Sequence, residues 1–170
     1  LCMTAVLAGA LATSAEAGAI SFTLNRLPIT VTPIANNGFR IAVGASGPAA
    51  PAGNSIRSDD STLEAASNGT LRVRRGTNTV WSGTIRPLKT YGRANVPGVE
   101  IEWSAAAGEG LYGLGERFNR LNQSGKQCEM WIRDEPGQSG GDASYYCAPV
   151  LFGTAGYSLF AADNPEGHFD

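Results

Sequence analysis

The sequence has 170 residues, enough for one domain with a sizeable core. Only 16% of the residues are charged, the net charge is −2 and no basic patch stands out, which argues against nucleic-acid binding. The 22 glycines and 9 prolines favour many turns and short strands over long helices.

The first nineteen residues read as the tail of a secretory signal peptide. Residues 1–12 are apolar and uncharged, and residues 15–17 place two alanines at the spacing that a signal peptidase requires. We therefore expect cleavage near Ala17 or Ala19, a domain over residues 20–170, and a periplasmic or secreted protein. A short buried helix is the alternative. A membrane anchor is disfavoured, because about 20 apolar residues are needed to span a bilayer.

The next part of the chain is predicted to form strands separated by turns. The run Asn36-Asn37-Gly38 is a hairpin signal. Residues 44–67, rich in Gly, Ala, Pro, Ser and Asp, predict a long surface loop or a loosely ordered insertion. Residues 86–95 are polar and predict irregular structure. The predicted strands cover residues 20–24, 29–31, 39–43, 71–75, 79–82 and 99–103.

The strand at residues 99–103 alternates apolar and acidic side chains, which puts Glu100 and Glu102 on one face. Such residues lie about 7 Å apart, whereas a retaining glycosidase places its two carboxyl groups about 5–5.5 Å apart. Flexible side chains could close that gap, but the pattern indicates a solvent-facing strand without a cleft. We therefore interpret these carboxylates as surface groups.

The most informative segment covers residues 111–134. Its first part predicts a strand over residues 111–118, with Gly113 and Gly115 on one face, where a neighbouring element or a ligand approaches the backbone closely. Its last part, residues 127–133, predicts a strand whose buried face carries Cys128, Met130 and Ile132.

A polar loop follows over residues 134–144, longer than a usual hairpin connection. Its short polar side chains suit hydrogen bonding to a ligand, although a plain solvent loop has the same composition. Cys128 and Cys147 could form a disulfide in an exported protein or remain separate thiols. One His and two separated Cys do not make a metal-ligand set.

Several of these motifs, in this order and spacing, resemble the N-terminal domain of glycoside hydrolase family 31, the retaining α-glycosidases. The resemblance implies an antiparallel β-sandwich of the galactose-mutarotase-like type, incomplete here at its C-terminus. Nearly all of its specificity lies in residues 109–170. The matching motifs are YGLGERF (112–118), LNQSGK (121–126), WIRD (131–134), Ser144-Tyr145 and Gly156-Tyr157.

The resemblance also carries expectations about function. In the family a (β/α)8 barrel follows this domain and contains an Asp nucleophile and an Asp general acid/base, so no catalytic residue is assigned in this chain. By position, Asp134 is similar to a carboxylate that contacts the leaving-group sugar, and Tyr145 to an aromatic residue lining the same subsite. The expected partners are a carbohydrate substrate and the catalytic barrel of the same polypeptide. No cofactor is implied.

Three functions therefore compete. The leading one is the N-terminal domain of an exported retaining α-glycosidase acting on α-glucosides or α-xylosides, inactive without its barrel. The second is a free-standing carbohydrate-binding β-sandwich without hydrolytic activity. The third is a structural β domain that binds no sugar.

Overall fold

The computed structural model describes residues 3–6, 18–44, 54–91, 96–117, 119–130, 146–162 and 167–169. The regular structure within these ranges consists of β-strands, and the strand pairings are antiparallel. The predicted all-β antiparallel fold is therefore confirmed. In the described part of the chain no helix is long and apolar enough to cross a membrane.

Two larger sheets share one apolar core. The four-stranded sheet has the order β1-β4-β3-β2 and the five-stranded sheet the order β5-β6-β7-β8-β9. Fully buried side chains from both sheets, Phe39 and Val31 from the first and Leu63 and Leu71 from the second, form one cluster, as expected of a β-sandwich. The strands are β1 (Met3–Val6), β2 (Ile20–Leu24), β3 (Leu27–Ile34), β4 (Gly38–Val43), β5 (Ser55–Ser58), β6 (Ser61–Ala65), β7 (Thr70–Arg75), β8 (Asn78–Tyr91) and β9 (Val96–Trp103).

The C-terminal part of the chain adds a three-stranded sheet and a two-stranded ribbon. The sheet has the order β10-β12-β13, and β11 pairs with β14. A second core cluster of four buried residues, Leu114, Cys128, Met130 and Leu151, joins these elements. The strands are β10 (Leu111–Gly113), β11 (Cys128–Met130), β12 (Val150–Gly153), β13 (Tyr157–Phe160) and β14 (Gly167–Phe169).

The predicted hairpin turn between β3 and β4 is confirmed. Asn36 and Asn37 have φ values of 62° and 63°, which asparagine tolerates better than most residues. On the opposite side of β4, β1 forms an edge strand with Met3 opposite Val43. This edge strand lies within the segment that we interpret as a signal peptide, an interpretation that stays a prediction.

The predicted loop over residues 44–67 is wrong for its second half, which forms β5 and β6. These strands pair with Ile56 opposite Leu63, and both side chains are buried. The turn between them is fastened to the β3–β4 turn, because Asn37 N donates to Asp59 Oδ2 at 3.0 Å. Small polar residues hide this hairpin from pattern analysis, since Ile56 and Leu63 are the only large apolar residues of the two strands. Residues 45–53 lie outside the described ranges.

Two further strand predictions need correction. The region over residues 86–95 is not irregular at its start, because β8 continues to Tyr91. The strand predicted over residues 111–118 ends at Gly113. Leu114 then takes a φ of 67° and its side chain turns into the second core cluster, only 2% exposed. A buried leucine in a left-handed conformation has no sequence signal of its own.

Leu63→Ala tests whether β6 is an integral part of the core. Leu63 is fully buried, so the substitution should lower the free energy of unfolding by about 2–5 kcal/mol. Urea denaturation of the variant measures this value. Thr62→Ala, on the other face of the same strand, is the control. A change within about 0.5 kcal/mol for Leu63→Ala, the size typical of surface positions, would restore the loop interpretation.

Candidate functional site

The two residues proposed to contact substrate, Asp134 and Tyr145, lie outside the described residues. The structure describes the two stems of their loop instead. One stem is β11, which ends at Met130, and the other begins at Tyr146 and leads into β12. Met130 is 3% exposed, whereas Tyr146 is 63% exposed, so the first stem is anchored in the core. Trp131 and Ile132 also fall outside the described ranges.

The chain just after β10 holds the second stem by backbone hydrogen bonds. Leu114 N donates to Val150 O at 2.8 Å, and Glu116 N donates to Tyr146 O at 2.9 Å. Between them Gly115 has a φ of 89°, and a Cβ there would collide with Tyr146 O and lie 2.7 Å from Ala148 N. The predicted close approach at Gly115 is therefore confirmed, and the neighbouring element is the second stem.

Arg117 connects the two stems. Its Nε donates to Leu114 O at 3.0 Å, which fixes the guanidinium over the turn that follows β10. Its Nη2 lies 3.1 Å from Met130 Sδ on the first stem and 3.9 Å from Cys147 Sγ on the second. One side chain thus contacts both ends of the segment that contains Asp134. Sequence reasoning missed this role, because the three contacted residues are far apart in the chain.

The possible disulfide between Cys128 and Cys147 is not formed in the structure, where both are thiols. Cys128 is fully buried and its Sγ donates to Gln123 Oε1 at 3.4 Å. Cys147 is half-buried, with its sulfur beside Arg117. The alternative of two separate thiols is the one that the structure adopts.

Residues 121–126, the LNQSGK motif, support β10 by hydrogen bonding. Asn122 Oδ1 accepts from Leu111 N at 3.1 Å, and Ser124 Oγ donates to Glu109 O at 3.0 Å. Gln123 is 4% exposed and its backbone N donates to Leu111 O at 2.7 Å. These polar residues therefore satisfy buried backbone groups at the start of β10. Gly125 lies in a turn and has a φ of 68°.

A cleft of about 460 Å³ lies between the β8–β9 hairpin and the β12–β13 turn. Two indole rings and one phenol ring contribute to its lining, from Trp81, Trp103 and Tyr157. Glu102 lies in the same lining and makes an ion pair with Arg86 at 2.6 Å. The sequence prediction that Glu102 faces solvent is confirmed, but the absence of a cleft beside it is wrong. The remaining lining residues are Thr79, Val80, Ser82, Gly83, Thr84, Ser104, Ala106, Glu109 and Ala155.

Two separate hydrogen bonds orient polar groups of this cleft. Trp103 Nε1 donates to the Tyr157 hydroxyl at 3.0 Å, and Ala106 N donates to Glu109 Oε2 at 2.7 Å. Glu109 Oε1 and Trp81 Nε1 are buried without a hydrogen-bond partner among the described residues. The Glu109 carboxylate is close enough to Tyr157 to influence its ionisation, although Oε1 is not aligned for a standard hydrogen bond.

The pKa of Tyr157 is raised from 10.0 to about 12, mainly by burial and also by the adjacent Glu109 carboxylate, against the opposing effect of the hydrogen bond from Trp103. The folded protein therefore keeps this proton where an unfolded chain has lost it. The contribution of this proton to the free energy of unfolding is complete below pH 10.0 and is lost as the pH rises toward about 12.

Tyr157→Phe should lose less free energy of unfolding than the parent between pH 10.0 and about 12. Urea denaturation at both ends of the interval measures the difference, with Tyr146→Phe as the control. An equal loss in Tyr157→Phe and the parent would show that Tyr157 is not the group responsible.

Among the described residues no group of three or more His, Cys, Asp or Glu side chains could hold a metal ion. Comparison with models of protein families gives a match. Residues 18–170 match the family described as the glycosyl hydrolase 31 N-terminal galactose mutarotase-like domain. A search of curated proteins found no match. The match agrees with the antiparallel sandwich and confirms the resemblance inferred from the sequence motifs. The chain belongs to the family of glycosyl hydrolase 31 N-terminal galactose mutarotase-like domains.

Proposed function

We propose that this chain is the N-terminal domain of an exported retaining α-glycosidase that cleaves α-glucosides or α-xylosides. The observation that carries the proposal is the family match over residues 18–170, because that family is named for a glycosyl hydrolase. The match begins beside the predicted cleavage positions Ala17 and Ala19, which supports export to the periplasm or the medium.

Within that enzyme the loop over residues 134–144 contacts the substrate. The construction of its stems supports this role, because Arg117 contacts both of them and Gly115 packs against the second. A loop on a rigid β scaffold is a common place for binding residues. Asp134, as an ionised carboxylate, accepts hydrogen bonds from sugar hydroxyls, and Tyr145 lines the same subsite. The catalytic barrel of the same polypeptide is the partner that completes the site.

Hydrolysis assays of the whole polypeptide encoded by the gene test this function. Its purified form should hydrolyse an aryl α-glucoside or an aryl α-xyloside, whereas residues 18–170 alone should hydrolyse neither, because the two catalytic acids belong to the barrel. Release of the aryl group measures both activities. Saccharide binding without hydrolysis by the whole polypeptide would favour the free-standing binding module. Turnover by residues 18–170 alone would place catalytic acids within this chain and overturn the assignment.

A further inference from the structure

We propose that the cleft between the β8–β9 hairpin and the β12–β13 turn is a binding site for a neutral oligosaccharide. Its described lining residues include none from the two stems of the loop over residues 134–144, so we treat it as a second site. Its volume of about 460 Å³ falls within the roughly 300–1,000 Å³ typical of small-molecule sites.

The side chains that line the cleft combine rings with hydrogen-bonding groups. Trp103 and Tyr157 offer ring surface on which the C–H face of a sugar can stack. Four residues with hydroxyl side chains belong to the lining, and three of them can offer both a donor and an acceptor to sugar hydroxyls, whereas Ser82 Oγ already donates to Leu71 O at 3.3 Å. These four are Thr79, Ser82, Thr84 and Ser104.

The charge of the lining selects against ions. Glu102 and Glu109 are the two charged residues of the described lining, in which there is no Lys, Arg or His. Phosphate, sulfate and acidic sugars are therefore repelled. Arg86 neutralises part of the Glu102 charge through its ion pair, which reduces the attraction for a cation. A neutral polyhydroxyl compound matches the hydroxyl groups and the rings without a charge of its own.

The polar groups are held in place before a ligand arrives. The hydrogen bond from Trp103 Nε1 to Tyr157 fixes both rings, and the hydrogen bond from Ala106 N fixes Glu109. Gly153 leaves room for this arrangement, because a Cβ there would lie 2.5 Å from both Glu109 Oε1 and the Tyr157 ring. Trp81 is only 4% exposed and its Nε1 has no hydrogen-bond partner among the described residues, and such buried polar groups are uncommon in folded proteins.

Isothermal titration calorimetry of the purified protein with maltotriose, isomaltotriose and cellotriose tests the proposal. At least one of these neutral trisaccharides should bind saturably, whereas tetramethylammonium and inorganic sulfate should not. Tryptophan fluorescence in a Trp131→Phe background gives a second readout, because the substitution removes the tryptophan closest in sequence to the loop over residues 134–144 and leaves Trp81 and Trp103. Failure of all three trisaccharides to bind, or saturable binding of tetramethylammonium or sulfate instead, would overturn the proposal.

Substitutions inside and outside the cleft show where the trisaccharide binds. Glu109→Gln, which keeps the shape of the side chain but replaces a charged acceptor with a neutral amide, and Tyr157→Phe, which keeps the ring but removes the hydroxyl, should each weaken binding about tenfold or more. Glu100→Gln, at an exposed carboxylate on β9 outside the cleft, should leave it unchanged. Asp134→Ala should also leave it unchanged, which separates this site from the substrate loop. Loss of binding in Asp134→Ala with normal binding in Glu109→Gln would contradict the proposal and assign the sugar to the loop.

Discussion

Gly115→Ala is expected to destabilise the domain by roughly 2–5 kcal/mol. About 1–2 kcal/mol comes from forcing alanine into a left-handed conformation at a φ of 89°, and about 1–3 kcal/mol from overpacking. The added Cβ would meet backbone atoms of Tyr146 and Ala148, which cannot rotate away as a flexible side chain can. Because domains are stable by only about 5–15 kcal/mol, the loss should be plain in urea denaturation.

Gly156→Ala is the matched control for this substitution. Gly156 has a φ of 94°, close to that of Gly115, but nothing lies within 4 Å of its added Cβ. The control therefore shows the conformational cost alone, about 1–2 kcal/mol. The difference between the two variants isolates the contact with the second stem of the loop over residues 134–144. Equal destabilisation of both variants would mean that this contact is absent.

Asp134→Ala in the whole enzyme is expected to lower kcat/KM for disaccharides about tenfold or more. A charge-assisted hydrogen bond contributes roughly 1.5–3 kcal/mol, and about 1.4 kcal/mol corresponds to a factor of ten. The effect should be smaller for activated aryl glycosides, because they lack the leaving-group sugar that Asp134 is proposed to contact. Steady-state kinetics with one substrate of each kind measure both effects.

Glu100→Ala serves as the control for Asp134→Ala, since it removes an exposed carboxylate from β9. This control should match the parent on both substrates. If Asp134→Ala also matches the parent on both, Asp134 makes no productive contact. A uniform loss on disaccharide and aryl glycoside would indicate damage to the enzyme as a whole rather than loss of a leaving-group contact.

The sequence predicted strands well where side chains alternate over a pairing that is local in the chain. At β9 the apolar and acidic residues alternate, and the structure places Val99, Ile101 and Trp103 against the core and exposes Glu100 and Glu102. It failed at β5 and β6, which also form a local hairpin, because their small polar residues leave only Ile56 and Leu63 as large apolar positions.

The features of the candidate site were likewise predictable only where the sequence carries a local signal. Gly115 was recognisable because a glycine in a strand-like pattern often marks close backbone approach. The contacts of Arg117 and the pairing of Glu109 with Tyr157 were not recognisable, because each depends on residues brought together only by the fold. The cysteine count permitted a disulfide between Cys128 and Cys147. In the structure the Cys128 sulfur contacts Gln123 and the Cys147 sulfur contacts Arg117.

The stereochemistry of hydrolysis by the whole polypeptide tests the central claim most directly. Proton NMR of the sugar first released from an aryl α-glucoside or aryl α-xyloside distinguishes the two anomers before mutarotation mixes them. A retaining α-glycosidase works through a covalent glycosyl-enzyme intermediate, so the α-anomer should appear first. Appearance of the β-anomer first, or no hydrolysis of either substrate, would contradict the claim that this chain is the N-terminal domain of a retaining α-glycosidase.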